Sequence, residues 1–222
     1  EQKVHQTVLE INLNALAHNL KQYQQHLKPS AKIMAMVKAF AYGSGGAEIA
    51  GVLQYHKVDY LGVAYADEGV ELRKAGNPEA NAFDAIVENN LEPEIYSFEL
   101  LHSFDKFLEA EGLQQYPVHI EIETGMNRLG FSASDIELLG DKLIATPSFK
   151  VQTCFSHLAA SEEKEQDDFT KQQADKFLKA AGDLQSKLGY TFICHIANSA
   201  AAIRHPQLQM DMVRLGIGLY GV

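Results

Sequence analysis

A chain of 222 residues, 46% hydrophobic and 22% charged, can bury one large core or two modest ones and is too apolar to be disordered. Its formal net charge of −10 repels nucleic-acid phosphates and argues against that class of partner. No apolar run approaches the roughly 20 residues of a bilayer span, and no basic-then-apolar leader opens the chain. A membrane role is therefore not expected and a cytoplasmic location is. The chain begins at Glu1 rather than Met, as a processed or excised polypeptide would.

The elements alternate regularly. A short extended stretch, residues 8–12, leads into a helix whose Leu16, Leu20, Tyr23 and Leu27 share one face. Residues 33–37 read as a buried strand, followed by a Gly-rich turn and a helix through Ile49 and Leu53. The next strand is 60–64, with a helix over 68–74 behind it. Further strands are read at 94–96, 118–122, 151–155, 192–196 and 210–214, with helices between them such as 136–143 and the polar 164–188. Cys154 and Cys194 fall in two of these strands and are expected to be free thiols in a reducing compartment.

Strand then helix, repeated with few hairpin signals, implies parallel strands and right-handed crossovers. There are seven strands where a closed barrel wants eight. Residues 74–79 pass from one helix straight into the next. Either the sheet is open and doubly wound, or a strand is missing after Gly76. The preferred expectation is an α/β chain of (β/α)8 TIM-barrel type, a single domain over 1–222, lacking one strand after Gly76.

Period-two alternation splits each strand into two faces. Lys38 shares a face with Met34 and Met36. His119, Glu121 and Glu123 oppose Val118, Ile120 and Ile122, and Arg214 lines up with Met210 and Met212. Helices cover a barrel's outside, so the branched apolar faces point outward and the polar members point to the centre. Lys38, Glu121, Glu123, His157 and Arg214 would then gather near the strands' C-terminal ends, where barrel chemistry sits. Singly, each has a bland reading: a lysine is usually solvated, a lone histidine usually structural, and a methionine usually core filler. The acidic run 162–168 reads as a wet helix face, and no metal site is expected.

Local strings change that balance. Val37-Lys38-Ala39-Phe40-Ala41-Tyr42-Gly43-Ser44-Gly45 resembles the lysine motif of the alanine racemases. Thr124-Gly125-Met126-Asn127-Arg128-Leu129-Gly130-Phe131 resembles their arginine loop. Ser156-His157-Leu158-Ala159, His195-Ile196-Ala197-Asn198-Ser199-Ala200 and Val213-Arg214-Leu215-Gly216-Ile217-Gly218-Leu219-Tyr220-Gly221 match three further signatures, in the family's order. The Gly-rich turn alone is weak, because it lacks the lysine and hydroxyl of a nucleotide-binding P-loop.

The resemblance implies a pyridoxal 5'-phosphate enzyme that interconverts L- and D-alanine, supplies D-alanine for cell-wall synthesis, and works as a homodimer when full-length. It implies that Lys38 holds the cofactor as a Schiff base and then serves as a base. Arg214 would face the pyridine nitrogen, and His157 would support it. Tyr42, Ser199, Gly216 and Ile217 would bind the phosphate, with Asn198 beside them. Arg128 would orient the cofactor's phenolic oxygen and the substrate carboxylate. An arginine opposite the ring nitrogen keeps its proton, which leaves the ring a shallow electron sink and favours prompt reprotonation.

The chain departs from the family pattern in three places. Glu121 stands where many members carry a lysine that can be carbamylated, so Glu121, helped by Glu123, is expected to pair with Arg128 directly. The strand missing after Gly76 would line the cofactor pocket. The chain ends at Val222, before the family's β-rich domain, which supplies a tyrosine as second base across a dimer interface. Residues 1–222 alone are thus expected to bind cofactor and racemise poorly. Alternatives are a single-domain pyridoxal-phosphate-binding homeostasis protein without racemase activity, a related racemase or lyase acting on another amino acid, and a barrel with no cofactor.

Overall fold

The computed structural model describes residues 9–74 and 82–221. Helix α1 (Leu13–His26) buries Leu16 and Leu20. It starts at Asn12, whose side-chain oxygen accepts the Ala15 N–H at 3.1 Å, satisfying one of the amide donors a helix start leaves unpaired. Residues 9–12 lead into this cap and join no strand; Val8 of that stretch lies outside the described residues.

Seven strands follow: β1 (Lys32–Met36), β2 (Tyr60–Gly62), β3 (Glu94–Ile95), β4 (Tyr116–Glu121), β5 (Phe149–Phe155), β6 (Ile193–His195) and β7 (Met212–Leu215). Each overlaps a strand expected from the sequence. Met210 falls just before β7, with φ 41°, so it does not share the strand's alternation with Met212 and Arg214. The connections are α2 (Lys38–Tyr42), α3 (Gly46–Tyr55), α4 (Ala66–Lys74), α5 (Ala82–Glu88), α6 (Phe98–Ala110), α7 (Ile136–Ala145), α8 (Asp167–Leu188) and α9 (Ser199–Arg204).

All ladders are parallel. They form the orders β2-β1-β7 and β3-β4-β5-β6. Backbone bonds from Asp211 N–H to the Cys194 carbonyl (3.1 Å) and from Arg214 N–H to the Ala197 carbonyl (2.9 Å) join the two at β6 and β7. The strands therefore follow one another in chain order, and the last pairs with the first. That is a ring order, which an open doubly wound sheet does not have. Among the described residues no ladder links β2 to β3. The expectation of a strand missing after Gly76 falls on residues 75–81, which lie outside the described residues.

The apolar faces pack outward as the alternation requires. In β1, Ile33 and Ala35 are buried while Met34 and Met36 are only half-buried. Helix α8 presents Ala174, Phe177, Ala180, Ala181 and Leu184 to the strands and ends at Gly189 in the left-handed region, φ 74°. Phe104 of α6 is fully buried, its ring stacked 5.9 Å from Phe149; burying such a side chain contributes about 1.5–3 kcal/mol. Cys154 and Cys194 are register partners on β5 and β6 and both are free. Among the described residues no helix is long and apolar enough to cross a membrane.

One irregularity matters for the site. Val118 pairs with Val151 but His119 pairs with Thr153, so the β4–β5 register slips by one and Gln152 is left over. Such a bulge redirects the side chains that follow it. Thr153 thereby meets His119, and the Gln152 amide reaches the Tyr60 hydroxyl at 3.2 Å.

Candidate active site

Lys38 stands one residue past β1, after Val37, at the strand's C-terminal end. The turn after it is left-handed: Ala39, Phe40, Ala41 and Tyr42 have φ of 51°, 53°, 55° and 54°, and Gly43 has 82°. L-residues resist this conformation by roughly 1–2 kcal/mol each. Hydrogen bonds hold it. The Glu68 carboxylate of α4 accepts the Ala39 N–H at 2.7 Å and the Ala64 N–H at 2.8 Å. The turn carries the Tyr42 ring against Tyr220, centroids 5.0 Å apart, and the Tyr220 hydroxyl donates to the Met36 carbonyl at 2.8 Å.

Tyr42, Ser199 and Gly216 converge at the same end of the strands. The Gly216 N–H donates to the Ser199 hydroxyl at 2.8 Å. A Cβ on Gly216 would lie 3.0 Å from the Tyr42 hydroxyl, and one on Gly218 would lie 2.9 Å from the Ser199 Cβ. Two glycines thus keep open a small cradle of hydroxyls and an amide, chemistry suited to a phosphate. Ile217 begins the turn after Gly216 and is 51% exposed. Asn198 stands next to Ser199, at the N-cap of α9. Its side-chain oxygen caps α9 through the Ala201 N–H (2.9 Å) and accepts the Ser161 hydroxyl (2.8 Å), so it steadies the cradle from behind.

Arg214 is buried within the ring. One guanidinium nitrogen, Nη1, donates to His195 Nδ1 at 2.7 Å. The other, Nη2, donates to the Ser156 carbonyl at 2.6 Å and lies 3.4 Å from His157 Nδ1. The Phe155 ring lies 4.9 Å from the guanidinium carbon. Nε–H takes no protein acceptor among the described residues. Burial lowers the Arg214 pKa to about 10, against the raising effect of Glu121 and Glu94, so the side chain stays cationic at neutral pH. Burial, then the charges of Arg214, Arg128 and Lys38, push His157 down to about 3. His157 is therefore a neutral acceptor beside Arg214.

Arg128 lies on an exposed part of the loop 124–130, whose neck is closed by mutual backbone bonds between β4's end and Phe131 (Glu123 N–H to Phe131 and Phe131 N–H to Glu121, both 2.9 Å). Glu121, Thr124, Arg128, Ser156 and His157 line one cleft. The expected Glu121–Arg128 ion pair is not there among the described residues. Glu121 faces Glu94 instead, and its buried Oε2 has no partner. Nor does Glu123 help: its carboxylate accepts the Asn127 N–H at 2.9 Å and that of Gly125, pinning the loop from within. A cavity of about 400 Å³ between α1 and α3, lined by Leu13, Ala17, Val52 and Tyr55, holds none of these groups.

The Alanine racemase, N-terminal domain family matches residues 11–222. The chain belongs to that family. Alanine racemase 1 of Oceanobacillus iheyensis is 33% identical over 225 residues, covering 96% of this chain and 59% of that protein. Among solved structures, an alanine racemase of Clostridium difficile in complex with cycloserine superposes with TM-score 0.85 at 32% identity, over 95% of this chain and 60% of that one. The alanine racemase of Bartonella henselae with covalently bound pyridoxal phosphate does so with TM-score 0.82 at 26% identity, over 96% and 60%. The chain thus spans about three fifths of the length of the relatives it matches.

Several residues of this family member's site carried no role in the sequence reading. Glu68 clamps the lysine turn. Gln173, fully buried in α8, donates to the His157 carbonyl at 3.1 Å and accepts the Ala159 N–H at 3.0 Å. Its signal is a polar residue on the apolar stripe that Phe177, Ala181 and Leu184 continue. His195 was visible only as a letter in a motif; its contact with Arg214 gives it a purpose.

Proposed function

We propose that this chain is the cofactor-holding part of an alanine racemase, a single ring-shaped domain of (β/α)8 type with one strand position open between β2 and β3. The observation that carries the reading is the buried, fully oriented Arg214, with Nε–H as its one uncommitted donor, at the same end of the ring as Lys38 and the Tyr42–Ser199–Gly216 cradle. Those groups fit pyridoxal 5'-phosphate: an amine for the aldehyde, a guanidinium for the ring nitrogen, and hydroxyls with an amide for the phosphate. When bound, that cofactor withdraws electrons from the amino acid's α-carbon and so acidifies its proton.

The chain's own residues do the rest. Lys38 Nζ would hold the aldehyde, and as a free amine it could accept or return a proton on one face of the α-carbon. Arg214 keeps its own protons and so gives none to the ring nitrogen, which keeps the electron sink shallow. Arg128 offers a planar fork to the substrate carboxylate. Tyr42, Ser199 and the Gly216 N–H would hold the phosphate. The acid or base for the opposite face is expected from the part of the relatives this chain does not cover. The full-length enzyme would then be a cytoplasmic homodimer supplying D-alanine for the cell wall.

The relatives' names favour a racemase over a cofactor carrier. An absorbance spectrum with added pyridoxal phosphate tests the reading. A visible band in the unmutated chain that is lost in Lys38→Ala supports it; equal bands in both refute it. Racemisation of alanine, against a panel of other amino acids, by the full-length enzyme tests the substrate.

A further inference from the structure

A line of hydrogen bonds runs from the edge of the ring to Arg214 through side chains to which the racemase reading assigns no role. Glu92 Oε2 lies 3.0 Å from His119 Nε2. His119 Nδ1 lies 2.7 Å from the Thr153 hydroxyl, which lies 3.0 Å from His195 Nε2. His195 Nδ1 takes the Arg214 guanidinium at 2.7 Å. Thr153, His195 and His119 are 0%, 1% and 7% exposed, so water does not substitute for a missing link.

The proton order along this line follows from what each group can do. A guanidinium donates and never accepts, so His195 Nδ1 presents a lone pair. Burial, and then the charge of Arg214, hold His195 well below the usual histidine range, so it is neutral and its one proton sits on Nε2, donated to Thr153. The Thr153 hydroxyl has one proton of its own, and His119 Nδ1 is the side-chain acceptor left for it. A buried hydroxyl proton without an acceptor would cost about 1–3 kcal/mol. His119 then carries its proton on Nε2, against the Glu92 carboxylate. Every donor points from Arg214 toward Glu92.

We propose that Glu92, His119 and Thr153 are positioning residues for Arg214, setting the proton order that keeps the His195 Nδ1 lone pair turned on the guanidinium. A proton on His195 Nδ1 would set donor against donor and swing the guanidinium, with its free Nε–H, off its aim. The register slip at Gln152 makes the line possible, since it is Thr153 and not Gln152 that pairs with His119. His195 is further confined by the Phe155 ring, stacked at 5.1 Å. The other charged or titratable groups acting on Arg214 are Glu121, Glu94 and Arg128, with His157 beside it.

The positioning role rests on the reading of Arg214 as the residue that faces the cofactor ring; the proton order does not. The test is nitrogen-detected histidine NMR on the full-length chain carrying 15N-histidine, at slightly alkaline pH, without cofactor and then with pyridoxal phosphate. His195 and His119 are expected to be neutral with the proton on Nε2. Thr153→Val should release His119 to a tautomer mixture, shift the His195 Nε2 signal, whose proton has lost its acceptor, and shift the visible band of the loaded protein. It should also lower kcat about tenfold at unchanged KM. Thr153→Ser should restore all of these. A doubly protonated or Nδ1-protonated His119 in the unmutated chain overturns the proton order. Unchanged His195 signals in Thr153→Val, with a Lys38-dependent band present, overturn the relay alone. Absence of any Lys38-dependent band overturns the racemase reading and the positioning role with it, whatever the tautomers.

Discussion

The Glu68 carboxylate accepts the Ala39 N–H at 2.7 Å, so a residue of α4 fixes the start of the left-handed turn that presents Lys38. The same carboxylate ties Ala64, just past β2, to that turn. Hydrogen bonds to a charged acceptor contribute about 1.5–3 kcal/mol each. Glu68→Ala is expected to lower the unfolding free energy by an amount in that range and to slow attachment of pyridoxal phosphate to Lys38. Denaturant titration and the rise of the visible band read the two effects separately.

Gly216 and Tyr42 are complementary by steric fit. A methyl at 216 would press on the Tyr42 hydroxyl at 3.0 Å, and that ring has little freedom beside Tyr220. Gly216→Ala should weaken cofactor binding by at least about tenfold, a loss near 1.4 kcal/mol. Adding Tyr42→Phe removes the clashing oxygen. The double variant should regain thermal stability yet stay weak in cofactor affinity, because a phosphate donor has gone. Recovery of both would mean that Tyr42 does not touch the phosphate.

Gly130 has φ 114°, and a Cβ there would stand 2.7 Å from the Glu123 amide nitrogen, where backbone cannot move aside. Gly130→Ala should open the neck of the arginine loop and destabilise the protein by more than about 1 kcal/mol. The loss should be seen as a lower melting temperature and as faster proteolysis at residues 124–130. Wild-type behaviour in both assays would show that the neck is not held by close packing.

Burial, followed by the hydrogen bond to Glu121, pushes the Glu94 carboxyl up to about 8 from an ordinary 4.5. Between those values the folded state holds more protons than the unfolded one, so this contribution to stability is complete below about 4.5 and is lost as pH rises through 8. Glu94 is still wetted at the unpaired edge of β3, which makes the effect modest. His157 acts in the opposite sense: its folded value of about 3 gives stability that is present above 6.5 and lost as pH falls toward 3. Glu94→Gln should therefore flatten the decline in urea midpoint between pH 5 and pH 9 and leave the acid limb, set in part by His157, in place.

The strands were legible because each is a short apolar run between turn residues, and the motif residues Lys38, Tyr42, Ser199, Arg214 and Gly216 do gather at one end of the ring. Alternation also put Glu121 on the inner face. It could not say how far Arg128 reaches, because Arg128 sits on a loop whose course depends on Glu123 binding Asn127, and so the expected ion pair failed. The slip at Gln152 was invisible for a related reason. Strict period two puts Thr153 on the same face as Val151, and only pairing with β4 reveals the extra residue that turns it inward. Gln173 hid in a helix whose polar residues otherwise face solvent. Distant pairing, not local propensity, decides all three.

The junction of β7 with β1 has a consequence for how the molecule comes into being. Met34 pairs with Arg214 and Ala35 with Leu215, so the first strand of the ring waits for the seventh. Until then the flank of β1 is an unsatisfied row of amides. Contacts between residues 180 positions apart, such as Met34 and Arg214, are slow to form. Competence to capture the aldehyde should accordingly arrive only once β7 has been made and has paired with β1, all at once.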